Sequence, residues 1–232
     1  MSSTVFLIPT VLHEDAPETI PPYVLDAVKQ CQVFFVENER SARRYLKKLW
    51  REMVIDDYQW FTIHKAEAEV QQQFRQLLQQ NKTIGIISEA GCPGVADPGQ
   101  LLVNVAQKAG ALVKPLVGPS SILLALMASG MNGQQFQFHG YLPIDGNDRK
   151  QAIKELELES AKKKCTQIFI ETPFRNNQLI KDIVAHCKPQ TQLCIAVDIT
   201  APAETIVTKT INDWNKQLPD IHKRLAIFLL LA

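Results

Sequence analysis

The stretch Thr83-Ile84-Gly85-Ile86-Ile87 limits what this chain can become more sharply than any other. It is too short for a useful helix, and almost every position is apolar. Neither face of such a segment tolerates water, so it reads as a strand buried on both sides in a parallel sheet. Val5-Phe6-Leu7-Ile8, closed by Pro9, and Val33-Phe34-Phe35-Val36 have the same character, and 112–115 is another short strand. Helical patterns separate these runs. Pro21 and Pro22 open one over 23–30, using proline's tolerance of a first helical turn. Ser41 is placed to cap a basic helix that runs through Lys48. A third, over 66–80, puts Val70, Phe74, Leu77 and Leu78 on one face, and a fourth, over 100–109, meets Gly110 as its stop. Alternation of strand and helix predicts a parallel sheet covered by helices.

The pattern restarts after Val117-Gly118-Pro119-Ser120-Ser121, a loop set to cap a helix running to Ala128. Extended segments are expected at 136–141, 167–170, 192–197, 205–209 and 225–231, with helices at 150–164 and 177–186. These suit a mixed sheet. The joint falls near 116–118, giving two α/β domains, 1–116 and 117–232, as a chain of 232 residues allows.

Composition closes several routes. With 46% hydrophobic and 21% charged residues the chain can bury a full core, and a net charge of +1 lacks the basic excess of a dedicated nucleic-acid binder. An RNA substrate would have to be held by a local patch. The five cysteines, Cys31, Cys92, Cys165, Cys187 and Cys194, form no C-x-x-C pair, and the histidines show no metal spacing, so no metal is expected. Met1-Ser2-Ser3-Thr4 does not open a signal peptide, and 225–232 is too short to span a bilayer. A reduced, cytoplasmic setting follows, away from membranes.

There is no G-x-G-x-x-G, no G-x-x-x-x-G-K-[ST] and no G-x-S-x-G nucleophile elbow. What stands out is S-E-A-G-C-P-G-V-A-D-P-G at 88–99, immediately after the buried strand. Open α/β sheets bind ligands at the carboxyl ends of their strands, and glycines let backbone approach a ligand. The plainer reading is an elaborate turn, with Asp97-Pro98 as turn chemistry. Ser120 and Ser121 likewise read as helix caps or as ligand contacts.

Taken together, 88–99, P-L-V-G-P-S-S at 115–121 and F-H-G-Y-L-P at 138–143 resemble the tetrapyrrole methylase superfamily, and within it the branch of ribosomal RNA small-subunit methyltransferases I, which methylate a cytidine 2′-hydroxyl. Leu7-Ile8-Pro9-Thr10, Glu37-Asn38-Glu39-Arg40 and Glu171-Thr172-Pro173-Phe174-Arg175 extend the resemblance from about Phe6 to Thr200. It implies two α/β/α domains with parallel or mixed sheets, S-adenosylmethionine in a cleft between them, and commonly a homodimer. By motif, Pro9, Gly91, Cys92 and Val95 line the cofactor from the first domain, Ser120 and Ser121 from the second, and Phe174 borders the same pocket. There are departures. The T-P-I-G-N-L usual after the first strand is Thr10-Val11-Leu12-His13 following Pro9, without its glycine, E-D-T-R becomes Glu37-Asn38-Glu39-Arg40, and S-D-A-G-T-P becomes 88–93. R-E-L-T-K becomes Val197-Asp198-Ile199-Thr200-Ala201, losing two cations, and the sequence stops near the last strand without a basic extension.

Methyl transfer to a ribose hydroxyl gains from alignment and from a base. Candidates are Glu37, Glu89, Asp97 and Glu171, with Arg40 and Arg175 orienting a phosphate or carboxylate. Each has a plainer role: Asp97 as a turn former, Glu171 as a partner of Arg175, Glu37 and Glu39 as solvated charges. Arg43, Arg44, Lys47 and Lys48 are the candidate contacts to RNA or the small ribosomal subunit, or else an ordinary solvated face. Three functions stay open: an RNA methyltransferase, a methyltransferase for a tetrapyrrole or other small molecule, and a non-enzymatic cofactor-binding protein.

Overall fold

A computed structural model describes residues 3–63 and 67–232, and the chain divides into two compact units, 1–120 and 121–232. The first unit runs β1 (Thr4–Ile8), α1 (Tyr23–Gln30), β2 (Val33–Val36), α2 (Glu39–Leu49), β3 (Gln59–Thr62), α3 (Glu67–Gln79), β4 (Ile84–Ile87), α4 (Gln100–Lys108) and β5 (Leu112–Pro115). Its five strands lie in the order β3-β2-β4-β1-β5, and every pairing is parallel. β4 is buried at all four positions, as its unbroken apolar run requires.

Side chains alternate across a strand, so each strand feeds two apolar layers. Phe6, Ile8, Phe34 and Val36 meet Val24 and Val28 of α1 and Leu46 of α2 on one face. Val5, Val33, Phe35 and Ile84 meet Phe74 of α3 and Leu102 and Val105 of α4 on the other. Phe35, fully buried, stacks on Phe61 at 4.8 Å and meets the edge of Phe74 at 5.0 Å. Truncating such a ring to alanine costs about 3–5 kcal/mol, so this layer is a main anchor of the unit.

The second unit begins with α5 (Ser121–Ser129) and continues β6 (Phe136–Tyr141), α6 (Gly146–Lys163), β7 (Thr166–Ile170), α7 (Asn176–His186), β8 (Gln192–Val197), β9 (Thr205–Thr210), α8 (Ile211–Lys216) and β10 (Ala226–Leu231). Its sheet, β6-β7-β10-β8-β9, is mixed: β6 and β7 are parallel, while β10 runs antiparallel to both β7 and β8. Phe169, Ile195 and Phe228 centre its core against Ile153, Ile180 and Trp214. No helix among the described residues is long and apolar enough to cross a membrane.

The joint sits four residues beyond the expected one because 116–120 is fastened to the first unit. Leu116 N donates to Leu7 O at 3.1 Å and Val117 N to the Tyr23 hydroxyl at 2.6 Å. The basic helix also starts earlier than expected. Asn38, not Ser41, caps α2, its Oδ1 accepting from Arg40 N at 2.9 Å and Ser41 N at 3.3 Å. The expected start of α3 at Ala66 lies outside the described residues. The edge strand β3 and the six-residue α8 had no sequence signal strong enough to be expected.

Candidate functional site

β1 and β4 are neighbours, yet the chain leaves β1 toward the α1–α2 face and leaves β4 toward the α4 face. Where adjacent strands send their continuations to opposite faces, a crevice opens at their carboxyl ends. The 88–99 loop occupies this point. Thr10 and Gly91 exchange backbone hydrogen bonds of 2.9 and 3.2 Å, the Thr10 hydroxyl donates to Ser88 O, and the Ser88 hydroxyl donates to Gly91 O. Gly91 has φ +76°, and a Cβ there would also lie 3.2 Å from Pro119 O. Asp97 Oδ2 accepts from Gly94 N at 2.9 Å and Oδ1 from Gly99 N at 2.7 Å, so its carboxylate closes the loop on itself. The Cys92 thiol, its pKa raised by burial, donates to Gly118 O and Pro119 O at 3.5 Å. Gly118 packs on Pro9. The loop and the 116–119 segment thus close around the end of β1.

Beside this clasp, on the α2 side, lies a cavity of about 320 Å³ within the first unit. Leu12, Ile20 and Leu49 supply apolar wall. Ser41, Arg44, Tyr45 and Lys48 face it from α2, at the i, i+3, i+4, i+7 spacing of one helix stripe, and Ser88 and Glu89 face it from the loop. The Tyr45 hydroxyl donates to Pro9 O at 2.7 Å, and burial pushes its pKa well up, so it stays a donor. Ser41 donates a short hydrogen bond to Glu89 Oε1. Glu37 Oε1 accepts from Glu89 N at 2.9 Å, fixing the start of the loop to the end of β2.

The four candidate carboxylates therefore separate. Asp97 is engaged by backbone amides as a loop former. Glu171, at the end of β7, has a side chain with no exposed surface, and its Oε1 accepts from Thr172 N at 2.6 Å and from Arg175 at 2.5 and 2.9 Å. Arg175 is thereby tied to its own unit. Glu37 orients Glu89. Glu89 is exposed at the cavity mouth.

The basic helix does not present four equivalent cations. Arg43 pairs with Glu39 at 3.4 Å and lies 5.1 Å from the centre of the Trp60 ring. Lys47 donates to Arg51 O at 2.5 Å and Met53 O at 3.0 Å, tying down the turn after α2. Lys48 reaches Glu14 at 3.3 Å, and that hydrogen bond, with the charges of Lys48 and Arg44, holds the Glu14 carboxyl below its usual range. Residues 40–49 contain no acid, but Glu39, at the start of the same helix, and Glu14, from before α1, come to them. Arg40 opens toward Glu37 and Thr62 on another face.

In the first unit Pro9, Gly91, Cys92 and Ser120 lie in or beside the clasp, with Val95 about half exposed at 52%. In the second, Ser121 is the first residue of α5, and Phe174 is exposed, its ring centre 6.0 Å from that of His222. The altered 197–201 segment follows β8 as a strained turn: Asp198 has φ +48° and Thr200, a β-branched residue, φ +72°. Arg224 holds it, donating to Asp198 Oδ2 and to Ala203 O, both at 2.7 Å. Tyr45 and Arg224 are organising residues that sequence reasoning did not single out, and Ser41, read there only as a cap, bonds Glu89. Among the described residues no group of His, Cys, Asp and Glu could hold a metal ion.

A doubly wound sheet whose switch point carries a glycine-rich loop, closed by its own carboxylate, defines an α/β protein built to bind a ligand at that edge. The chain belongs to the family described as Tetrapyrrole (Corrin/Porphyrin) Methylases, which matches residues 15–214. It is 36% identical over 129 residues to a Ribosomal RNA small subunit methyltransferase I of Escherichia coli O157:H7, a stretch covering 56% of this chain and 44% of that protein. It is 30% identical over 184 residues to a protein of the same name from Micromonospora olivasterospora, covering 79% and 56%. The chain thus spans about half the length of the curated relatives it matches. Solved structures share its fold: diphthine synthase (TM-score 0.67, 12% identity, covering 100% of this chain and 90% of that one) and the uroporphyrin-III C-methyltransferase of Thermus thermophilus complexed with S-adenosyl homocysteine (0.56, 14%, 99% and 97%).

Proposed function

We propose that this chain is an S-adenosylmethionine-dependent methyltransferase acting on RNA of the small ribosomal subunit, in the cytoplasm and as a homodimer. The observation that carries the reading is the clasp of the 88–99 loop on Pro9 and Thr10, in a chain of this family. The names of its relatives support the RNA acceptor. The homodimer is carried over from the family resemblance.

The residues suit the cofactor. A Cβ at Gly94 would meet nothing within 4 Å, so space is open beside exposed Val95. Val95 offers apolar surface to an adenosyl group, the loop backbone from Cys92 onward offers polar groups to the methionine end, and buried Pro9 and Gly91 support the loop from beneath. Ser120 completes the set in the first unit. When bound, S-adenosylmethionine supplies a methyl group already activated on a sulfonium. What remains for the protein is to align a hydroxyl and accept its proton. Glu89 is the residue proposed for the proton. It is exposed at the cavity, its amide is fixed by Glu37, and one oxygen is oriented by Ser41. Calorimetry tests the cofactor half directly. S-adenosylmethionine and S-adenosylhomocysteine bind in the presence of a chelator, and a folded protein that binds neither contradicts the reading.

A further inference from the structure

We infer that the cavity between α2 and the end of β1 takes a single unstacked nucleotide of the RNA acceptor, an inference that rests on the RNA reading above. Three observations meet here. The first is size. Ligand cavities run from about 300 to 1,000 Å³, and one of about 320 Å³ has room for a nucleoside rather than a macrocycle. The second is the wall. Leu12, Ile20 and Leu49 are apolar, and Tyr45 adds an aromatic ring whose hydroxyl is already committed to Pro9 O. The ring has no polar demand left to satisfy, so it serves as surface for a base, and bases taken out of a stack are held by such surfaces.

The third observation is the rim. Arg44 and Lys48 stand one turn apart at the cavity, and Arg44 is exposed. Among the described residues Lys48 is held only by Glu14, with both side chains more than half exposed. Exposed pairs of this kind contribute little to stability, so a phosphate displaces Glu14 easily. Glu89 closes the opposite side and joins the cavity to the 91–95 loop two residues further on. Base on the wall, phosphate on the rim and ribose toward Glu89 is the arrangement these chemistries fit. The stripe through Ser41, Arg44, Tyr45 and Lys48 is thus the RNA-facing side of α2, and Arg43 and Lys47 are not.

Two variants test it against RNA of small subunits from cells lacking the gene. Leu49→Trp fills the cavity, and Arg44→Ala removes a rim cation on an exposed face. The inference expects Leu49→Trp to lower kcat/KM for RNA by about tenfold or more and Arg44→Ala to raise KM for RNA about tenfold, both with unchanged affinity for S-adenosylmethionine. Thermal unfolding identifies a Leu49→Trp protein that has lost its fold, in which case Arg44→Ala alone decides. Wild-type kinetics in the folded variants overturns the cavity assignment and leaves the RNA methyltransferase intact. A wild-type protein that binds the cofactor but transfers nothing to RNA overturns the underlying reading, and the assignment with it.

Discussion

Gly118 lies so close to Pro9 that a Cβ built on it would sit 2.1 Å from the proline Cβ and 2.6 Å from its Cγ. No rotamer relieves that contact, because both atoms belong to a ring fixed at the end of β1. Gly118→Ala must push the 116–119 segment away from Pro9. Overpacking of this kind costs about 1–3 kcal/mol, and the displaced segment also carries the carbonyls that receive the Cys92 thiol. The expected outcome is a lower melting temperature together with weaker S-adenosylmethionine binding. Unchanged values of both would mean that the close approach has no role in the clasp.

Glu89→Gln keeps the shape of the side chain and removes its capacity to take a proton. Loss of a general base typically costs 10²- to 10⁴-fold, so kcat is expected to fall by roughly that range. Cofactor affinity should hold. Asp97→Asn should behave differently, weakening cofactor binding by loosening the loop without that loss in kcat. Single-turnover rates at saturating cofactor separate the two. A Glu89→Gln enzyme with normal kcat removes Glu89 from the chemistry.

Within α2, charge reversal should depend on the face. Lys47→Glu sets a carboxylate against Arg51 O and Met53 O, where an ammonium now donates to both. Lost charged hydrogen bonds of this type cost about 1.5–3 kcal/mol. Arg44→Glu, on an exposed face, should stay within about 0.5 kcal/mol of wild type. RNA affinity should show the reverse order, with Arg44→Glu the weaker binder and its salt dependence flatter. Chemical denaturation and RNA titrations across salt concentrations check both halves.

Much of the fold was legible because it rests on long apolar runs and clear helical periods. The predicted bounds of β2, β5, β6 and α1 coincide with the observed ones. β3 escaped because Gln59–Thr62 is a half-buried edge strand with only Trp60 and Phe61 to mark it. The site was harder, because its meaning lies in contacts distant in sequence. The bonds of Glu89 to Glu37 and Ser41, and of Tyr45 to Pro9, span 52, 48 and 36 residues, whereas the plainer roles of Asp97 and Glu171 rest on partners within four residues and were readable. Helical spacing alone does not separate the four cations of α2: Arg44 and Lys48 line the cavity with Ser41 and Tyr45, whereas Arg43 meets Glu39 and Lys47 meets backbone carbonyls. Arg224 had no signal at all: its link to Asp198 spans 26 residues.

Buried thiols predict an alkaline limit to stability. Burial pushes Cys31 from 9.0 to about 12, and burial with the nearby Glu157 charge pushes Cys187 to about 12. The unfolded chain therefore releases these protons at lower pH than the folded one. Between about pH 9 and 12 the folded state binds more protons, so its stability is full below pH 9 and falls as pH rises. The melting temperature should drop across that window. Cys31→Ala should shallow the drop, and an identical slope would exclude Cys31 as a contributor.

The central claim is that this chain moves a methyl group from S-adenosylmethionine to RNA, using the 88–99 loop to hold the donor. Methyl-labelled S-adenosylmethionine, purified protein and small ribosomal subunits from cells lacking the gene test it in one assay, with Val95→Asp as the internal control. A carboxylate beside the cofactor's apolar part is costly unless paired, while 52% exposure of Val95 lets the fold tolerate it. The account predicts label in one nucleoside of the small-subunit RNA after digestion, strongly reduced in the folded Val95→Asp protein at equal cofactor concentration. No label in RNA and no S-adenosylhomocysteine from the wild-type protein would contradict it.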